Sequence, residues 1–153
     1  MRFPTTVVSF MLLLLAGGLS VGCGKKSAPV APELSAPGPI KTIQAKVQEG
    51  TILLEWNRPT VNASGESLGD LKEFHVFRTP VVKGEEPKYT KVASVDVPAD
   101  SQVTQFRYAD KDLGGGKAYE YQVIAVSMDG ITSADAKTVR VNYKGSNSTV
   151  EIY

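Results

Sequence analysis

The chain has 153 residues, 42% of them apolar and 22% charged, which suits one domain with a sizeable core plus terminal extensions. Seventeen basic and sixteen acidic residues leave a net charge of +1, so there is no basic excess with which to hold a nucleic acid. The single cysteine, Cys23, excludes an internal disulfide, and the one histidine, His75, has no second ligand near it in sequence to make a metal site.

In chain order, Arg2 precedes an apolar run over residues 5–19, and small residues then lead to Cys23. Residues 1–22 therefore read as a secretory signal peptide. Their end, Leu19-Ser20-Val21-Gly22-Cys23, resembles the processing box of bacterial lipoproteins, with Ser20 where that family usually has leucine. The resemblance implies cleavage before Cys23, lipid attachment there with palmitate among the acyl chains, and a membrane partner met through that anchor. Gly24 stands where an aspartate is associated with inner-membrane retention, so the resemblance further implies the outer membrane of a Gram-negative bacterium. Two other readings compete. Residues 5–22 make about 18 apolar or small positions, near the lower limit for a spanning helix, and ordinary cleavage would release a soluble protein with a free thiol. Lipidation is favoured, because several acyl chains at about 0.8 kcal/mol per buried methylene hold a protein stably at its bilayer.

Residues 23–38 carry Pro29, Pro32 and Pro37 and no apolar periodicity, so a disordered tether is expected, the fifteen residues after Cys23 reaching at most about 45 Å at ~3.1 Å per residue. Lys25 and Lys26 either touch anionic head groups or are solvated linker charge. Cys23-Gly24-Lys25-Lys26 and the small, proline-rich run after it resemble the mature start of small lipoproteins associated with the lipopolysaccharide-export translocon. That resemblance implies an assembly factor acting through its lipidated N-terminal segment.

From residue 39 the pattern is β throughout. Residues 40–47 alternate with Ile43, Ala45 and Val47 on one face; Gln48-Glu49-Gly50 turns the chain into residues 51–57, where Ile52, Leu54 and Trp56 point inward. Trp56 is the expected core anchor. Residues 57–69 are polar and turn-rich, a loop. Residues 74–78 form the next strand, with His75 facing outward, and a polar connection over residues 80–87 leads to a strand over residues 89–95. Residues 103–108 alternate with Phe106 and Tyr108 together; Asp110 and Asp112, beside Lys111, fall short of a calcium loop and are expected to bond turn amides. Three glycines at 114–116 then turn the chain into residues 118–126, with Tyr119, Tyr121, Val123 and Ala125 inward. Leu113 lies six residues before Tyr119, the spacing of a tyrosine corner. Asp129-Gly130 is a tight-hairpin signal, and residues 137–143 form the next strand, with Val139, Val141 and Tyr143 inward. Residues 144–153 are a C-terminal tail whose last four positions are either a short edge strand or frayed.

Seven short strands separated by turn signals imply an all-β, antiparallel, immunoglobulin-like sandwich over residues 39–143. Pro37 and Pro39 before the first strand, Trp56 on the second, Phe74-x-Val76-Phe77-Arg78, Phe106-x-Tyr108-x-Asp110, Leu113, Tyr119-x-Tyr121-x-Val123-x-Ala125, Gly130 and Ser133 together resemble a fibronectin type III domain. A tryptophan on the second strand separates the chain from antibody-like domains, whose tryptophan sits on the third strand beside a disulfide. Leu113, Tyr119 and Tyr121 join Trp56 as expected structural residues.

No nucleophile–base pair, carboxylate cluster or metal set is apparent, and Ser127 and Ser133 lack a histidine partner, so neither an enzyme nor a cofactor is expected. What the fibronectin resemblance implies is a monomeric binding or spacer module at the cell envelope, with an envelope protein or a glycan as partner. Loop binding would use Asn57, Arg58 and Asn62 in the first long loop and Glu85 and Lys88 in the second; edge binding would use residues 40–47 or 137–143.

Overall fold

A computed structural model describes residues 31–98, 102–144 and 147–152, so the signal-like run, Cys23, Lys25 and Lys26 lie outside the described residues. The strands are β1 (Ile43–Gln48), β2 (Thr51–Asn57), β3 (Leu71–Pro80), β4 (Thr90–Asp96), β5 (Gln105–Asp110), β6 (Ala118–Ser127), β7 (Thr138–Asn142) and β8 (Thr149–Ile152). They form two antiparallel sheets, a three-stranded one ordered β1-β2-β5 and a five-stranded one ordered β4-β3-β6-β7-β8. This is the expected all-β sandwich.

Its interior follows from the two-residue period. Ile52, Leu54 and Trp56 from β2 face Phe74 and Val76 from β3, Tyr121, Val123 and Ala125 from β6, and Val139 and Val141 from β7, all buried in one cluster. Trp56 meets Phe74 edge-on with ring centroids 5.5 Å apart, and Phe106 closes the group 4.8 Å from Phe74. Burying such aromatic and branched side chains, at about 25 cal/mol per Å² of apolar surface, is the main force holding the sheets together. Among the described residues the indole Nε1 of Trp56 has no hydrogen-bond partner, so the anchor's stabilisation comes from the burial and ring contacts of its apolar surface. At the β1–β2 turn both Glu49 and Gly50 have positive φ, the requirement of the tight hairpin whose twist matches its strands.

Two boundaries differ from expectation. Among the described residues the sandwich has eight strands rather than seven, because of the two alternatives for the tail the short edge strand is the one formed, residues 149–152 pairing with β7. The Ser148 hydroxyl accepts from the Lys144 amide at 2.8 Å, which helps return the chain, and Thr149 accepts from the Asn142 side chain at 3.0 Å across the new pair. The tether also ends earlier than residue 38. Residues Pro32–Ser35 form one helical turn, α1, and the chain after it zips onto the loop that follows β2. The Ser64 amide donates to the Leu34 carbonyl, Ala63 to Ala36, and Gly38 to Val61, while Pro37 is buried opposite Asn62. Gly38 is required there: a Cβ would stand 2.6 Å from the Val61 carbonyl oxygen.

Candidate functional site

Strand direction gives the sandwich two ends. The end of β2, the start of β3, the end of β6 and the start of β7 share one end, and α1 with residues 36–38 is fastened there. The β1–β2 turn, the β3–β4 connection and the β5–β6 corner occupy the other.

At the first end lie Asn57, Arg58 and Asn62. They line a cleft of about 420 Å³ shared with Gly38, Lys41 and Thr42. The loop expected to be free is instead a small folded unit. Asn62 Oδ1 accepts from the Ser64 hydroxyl at 2.7 Å and the Glu66 amide at 2.8 Å, Val61 bridges Ser67, and Leu68 is buried. Asn62 is therefore a turn-building residue, and the segment arriving from the N-terminus lies against its loop.

Glu85 and Lys88 are at the opposite end. They wall a cleft of about 700 Å³, which Thr79, Glu120 and Arg140 on the outer face of the five-stranded sheet also line. Glu120 is the side chain that periodicity did not single out. Alternation puts it on the outer face, as expected, yet it is buried there, because the Tyr89 hydroxyl donates to its Oε2 at 3.0 Å and Arg140 donates to its Oε1 through Nε at 2.9 Å and also through Nη2. Burial pushes the Tyr89 phenol up, and its bond to Glu120 adds to this. The triad fixes the base of the β3–β4 connection over the sheet. A buried carboxylate held on both oxygens by an arginine and a tyrosine is a structural clamp.

The corner beneath is held by a second polar group. Asp110 is 2% exposed; Arg78 Nη1 donates to its two oxygens at 3.1 and 2.9 Å, the Tyr121 hydroxyl to Oδ2 at 2.8 Å, and the Asp112 amide to Oδ1 at 3.2 Å. Asp110 does bond a turn amide as expected, but within a larger network. Burial, then the hydrogen bond to Asp110, pushes the Tyr121 phenol far above the ordinary tyrosine value. For Arg78, burial works against the charge, but the hydrogen bond and charge of Asp110 outweigh it and keep the guanidinium above its usual value. Tyr119 completes the corner: its hydroxyl accepts from the Gly114 amide at 2.8 Å, its ring lies 5.4 Å from the Arg78 guanidinium carbon, and Leu113 packs against the core.

His75 faces outward as expected, its Nε2 3.5 Å from Glu73 Oε1 and its ring beside Phe77. The Ser127 and Ser133 hydroxyls accept from the amides of Ile131 and Ala125, shaping the hairpin after β6. Among the described residues no group of three histidine, cysteine or acidic side chains could hold a metal ion, and no helix is long and apolar enough to cross a membrane. The strand over residues 137–143, expected as an edge, is interior to its sheet because β8 covers it. Among the described residues the open edges are β1, β5, β4 and β8.

No protein-family model matches the sequence, and no curated protein matches it. Among solved structures, the twitchin kinase region of C. elegans, whose domains include Fn31 and Ig26, is similar over 71% of this chain at 18% identity and a TM-score of 0.52. This chain spans 17% of that chain's length. An Fn3-like protein from Clostridium thermocellum is 24% identical over 61% of this chain and 78% of its own, with a TM-score of 0.40, and the third fibronectin III domain of a human protein is 16% identical over 85% and 91%, with a TM-score of 0.44. The shared property is the fold, a β-sandwich of the fibronectin type III kind.

Proposed function

We propose that the chain is a non-catalytic binding or spacer module of the bacterial cell envelope, anchored by lipid on Cys23 in the outer membrane and presenting its sandwich to an envelope protein. The observation that carries this reading is the placement of the two ends. The N-terminal segment is fastened to the loop after β2, so an anchor at Cys23 holds the sandwich by that end. The cleft walled by Glu85 and Lys88 then points away from the bilayer. α1 begins at Pro32, and the eight residues between Cys23 and it would reach at most about 25 Å at ~3.1 Å per residue. A ten-residue strand at ~3.3 Å per residue adds about 33 Å before the far end is reached.

The polar clusters support the non-catalytic part, since Asp110 and Glu120 are each consumed by structural partners. Asn57, Arg58 and Asn62 belong to the anchored end, where Asn62 lies opposite Pro37 of the entering chain, which leaves Glu85 and Lys88 as the contact residues of this reading. The test is photocrosslinking in intact cells from probes placed at Glu85, Lys88 or Ser64. Partner capture from the first two positions and none from the third is expected; capture from Ser64 alone would reverse the orientation, and no capture from any of them would sink the binding reading.

A further inference from the structure

The open edges of the two sheets are not equivalent. Natural edge strands are blunted by lysine or arginine and by bulges that spoil pairing. β1 carries an exposed Lys46, β5 an exposed Arg107, and β4 an exposed Lys91 together with a register shift opposite Val76 and Phe77. β8 has none of these: all four of its residues are exposed, and its one charge is Glu151.

The register of β8 states what could lie beside it. Val150 is opposite Val141 and Ile152 opposite Val139, so both share the core-facing side of the sheet. They overhang the three-stranded sheet, remaining 38% and 52% exposed. Ala45 and Val47 of β1, half-buried on their own sheet's inner face, form the other bank of this apolar gutter. On the outer face the register lines up Glu120 of β6, Arg140 of β7 and Glu151 of β8, a row of alternating charge that ends on a carboxylate.

We infer that β8 is a docking edge for an extended peptide segment of a partner protein, taken as a ninth strand. That segment has a lysine or arginine in register with Glu151 and β-branched aliphatic residues on either side of it facing the gutter. Main-chain hydrogen bonds to the free edge supply affinity, and the charge row and gutter supply specificity. A second copy is a poor occupant: a four-residue strand buries far less than the roughly 1,200 Å² of a stable dimer, and antiparallel pairing centred on Glu151 sets two carboxylates against each other. The inference rests on the binding-module reading and names the kind of partner.

The test uses the full-length chain in detergent and two fluorescein-labelled peptides, TVTVKVTVT and TVTVEVTVT, followed by anisotropy. Exchanging an attractive for a repulsive cross-strand pair changes affinity by about fivefold, so the lysine peptide is expected to bind about fivefold tighter. Glu151→Lys, at an exposed position, should invert the preference, and Ile152→Lys should abolish binding of the lysine peptide while circular dichroism stays unchanged. Equal binding of both peptides to Glu151→Lys and the parent chain would overturn the inference, as would no binding, or concentration-dependent dimers removed by Ile152→Lys. Crosslinked partner at Glu85 or Lys88 with no charge preference at residue 151 would sink this inference alone and leave the module reading standing.

Discussion

Replacing Asp110 with alanine tests how the corner below β5 is held. The carboxylate neutralises Arg78, whose side chain is only 19% exposed, and is the acceptor for the fully buried Tyr121 hydroxyl. Removing it leaves a part-buried guanidinium with only the exposed Asp112 carboxylate, 3.6 Å away, as charge partner, and a phenol without an acceptor. A broken buried pair costs about 3–5 kcal/mol, and the residual exposure of Arg78 places this site at the lower end, about 3 kcal/mol. With a urea m-value of ~1.5 kcal/mol/M, the unfolding midpoint should fall by about 2 M, a large share of the ~5–15 kcal/mol that a domain possesses. Combining Asp110→Ala with Arg78→Met should cost less than the sum of the single changes by about 1.5 kcal/mol, since the uncompensated charge is gone. Equilibrium urea unfolding followed by tryptophan fluorescence reads both effects. A midpoint shift under ~0.5 M for Asp110→Ala at unchanged m-value, or strict additivity in the double variant, would refute the reasoning.

Two further predictions follow from the same geometry. Gly38→Ala places a Cβ against the Val61 carbonyl, so the entering segment should detach while β1 to β8 stay folded; faster exchange of the Gly38 and Ala63 amides and new protease cleavage within residues 32–38 are expected, and unchanged protection would contradict the clamp. Because the folded chain raises the Tyr121 phenol above its unfolded value near ~10, that group's contribution is fully present below pH ~10 and is lost as pH rises beyond it, at about 1.4 kcal/mol per pH unit; urea midpoints should be flat in that lower range and then fall, with a shallower slope in Tyr121→Phe, and a rise with pH would contradict the sign.

The core was legible because alternation is a local signal: Ile52, Leu54 and Trp56, and then Tyr119 to Ala125, announce their buried face without knowledge of the partner sheet. The same period carried more than aromatic side chains. It puts Arg78 on the face of Phe74 and Val76, and Asp110 on the face of Phe106, so an inward cation and an inward anion were written in the sequence; what it could not supply was that β3 and β5 bring them together across thirty-two residues. Glu120 was legible as outward but not as buried, since its cover comes from Tyr89 of another strand's approach and Arg140 of the next strand. Residues 32–38 have the composition of a linker, and only the Val61 carbonyl and the Ala63 and Ser64 amides, far along the chain, give them a place to dock. β8 is four residues long, and its pairing depends on the β7 edge rather than on its own propensity.

The central claim, a sandwich held to a bilayer at its N-terminal end, is tested most directly by metabolic labelling of cells with an alkyne palmitate analogue, followed by detergent-phase partition of the chain. The account predicts label on the parent chain and recovery in the detergent phase, with both lost in Cys23→Ala. An unlabelled parent chain in the aqueous phase, or label persisting in Cys23→Ala, would contradict it.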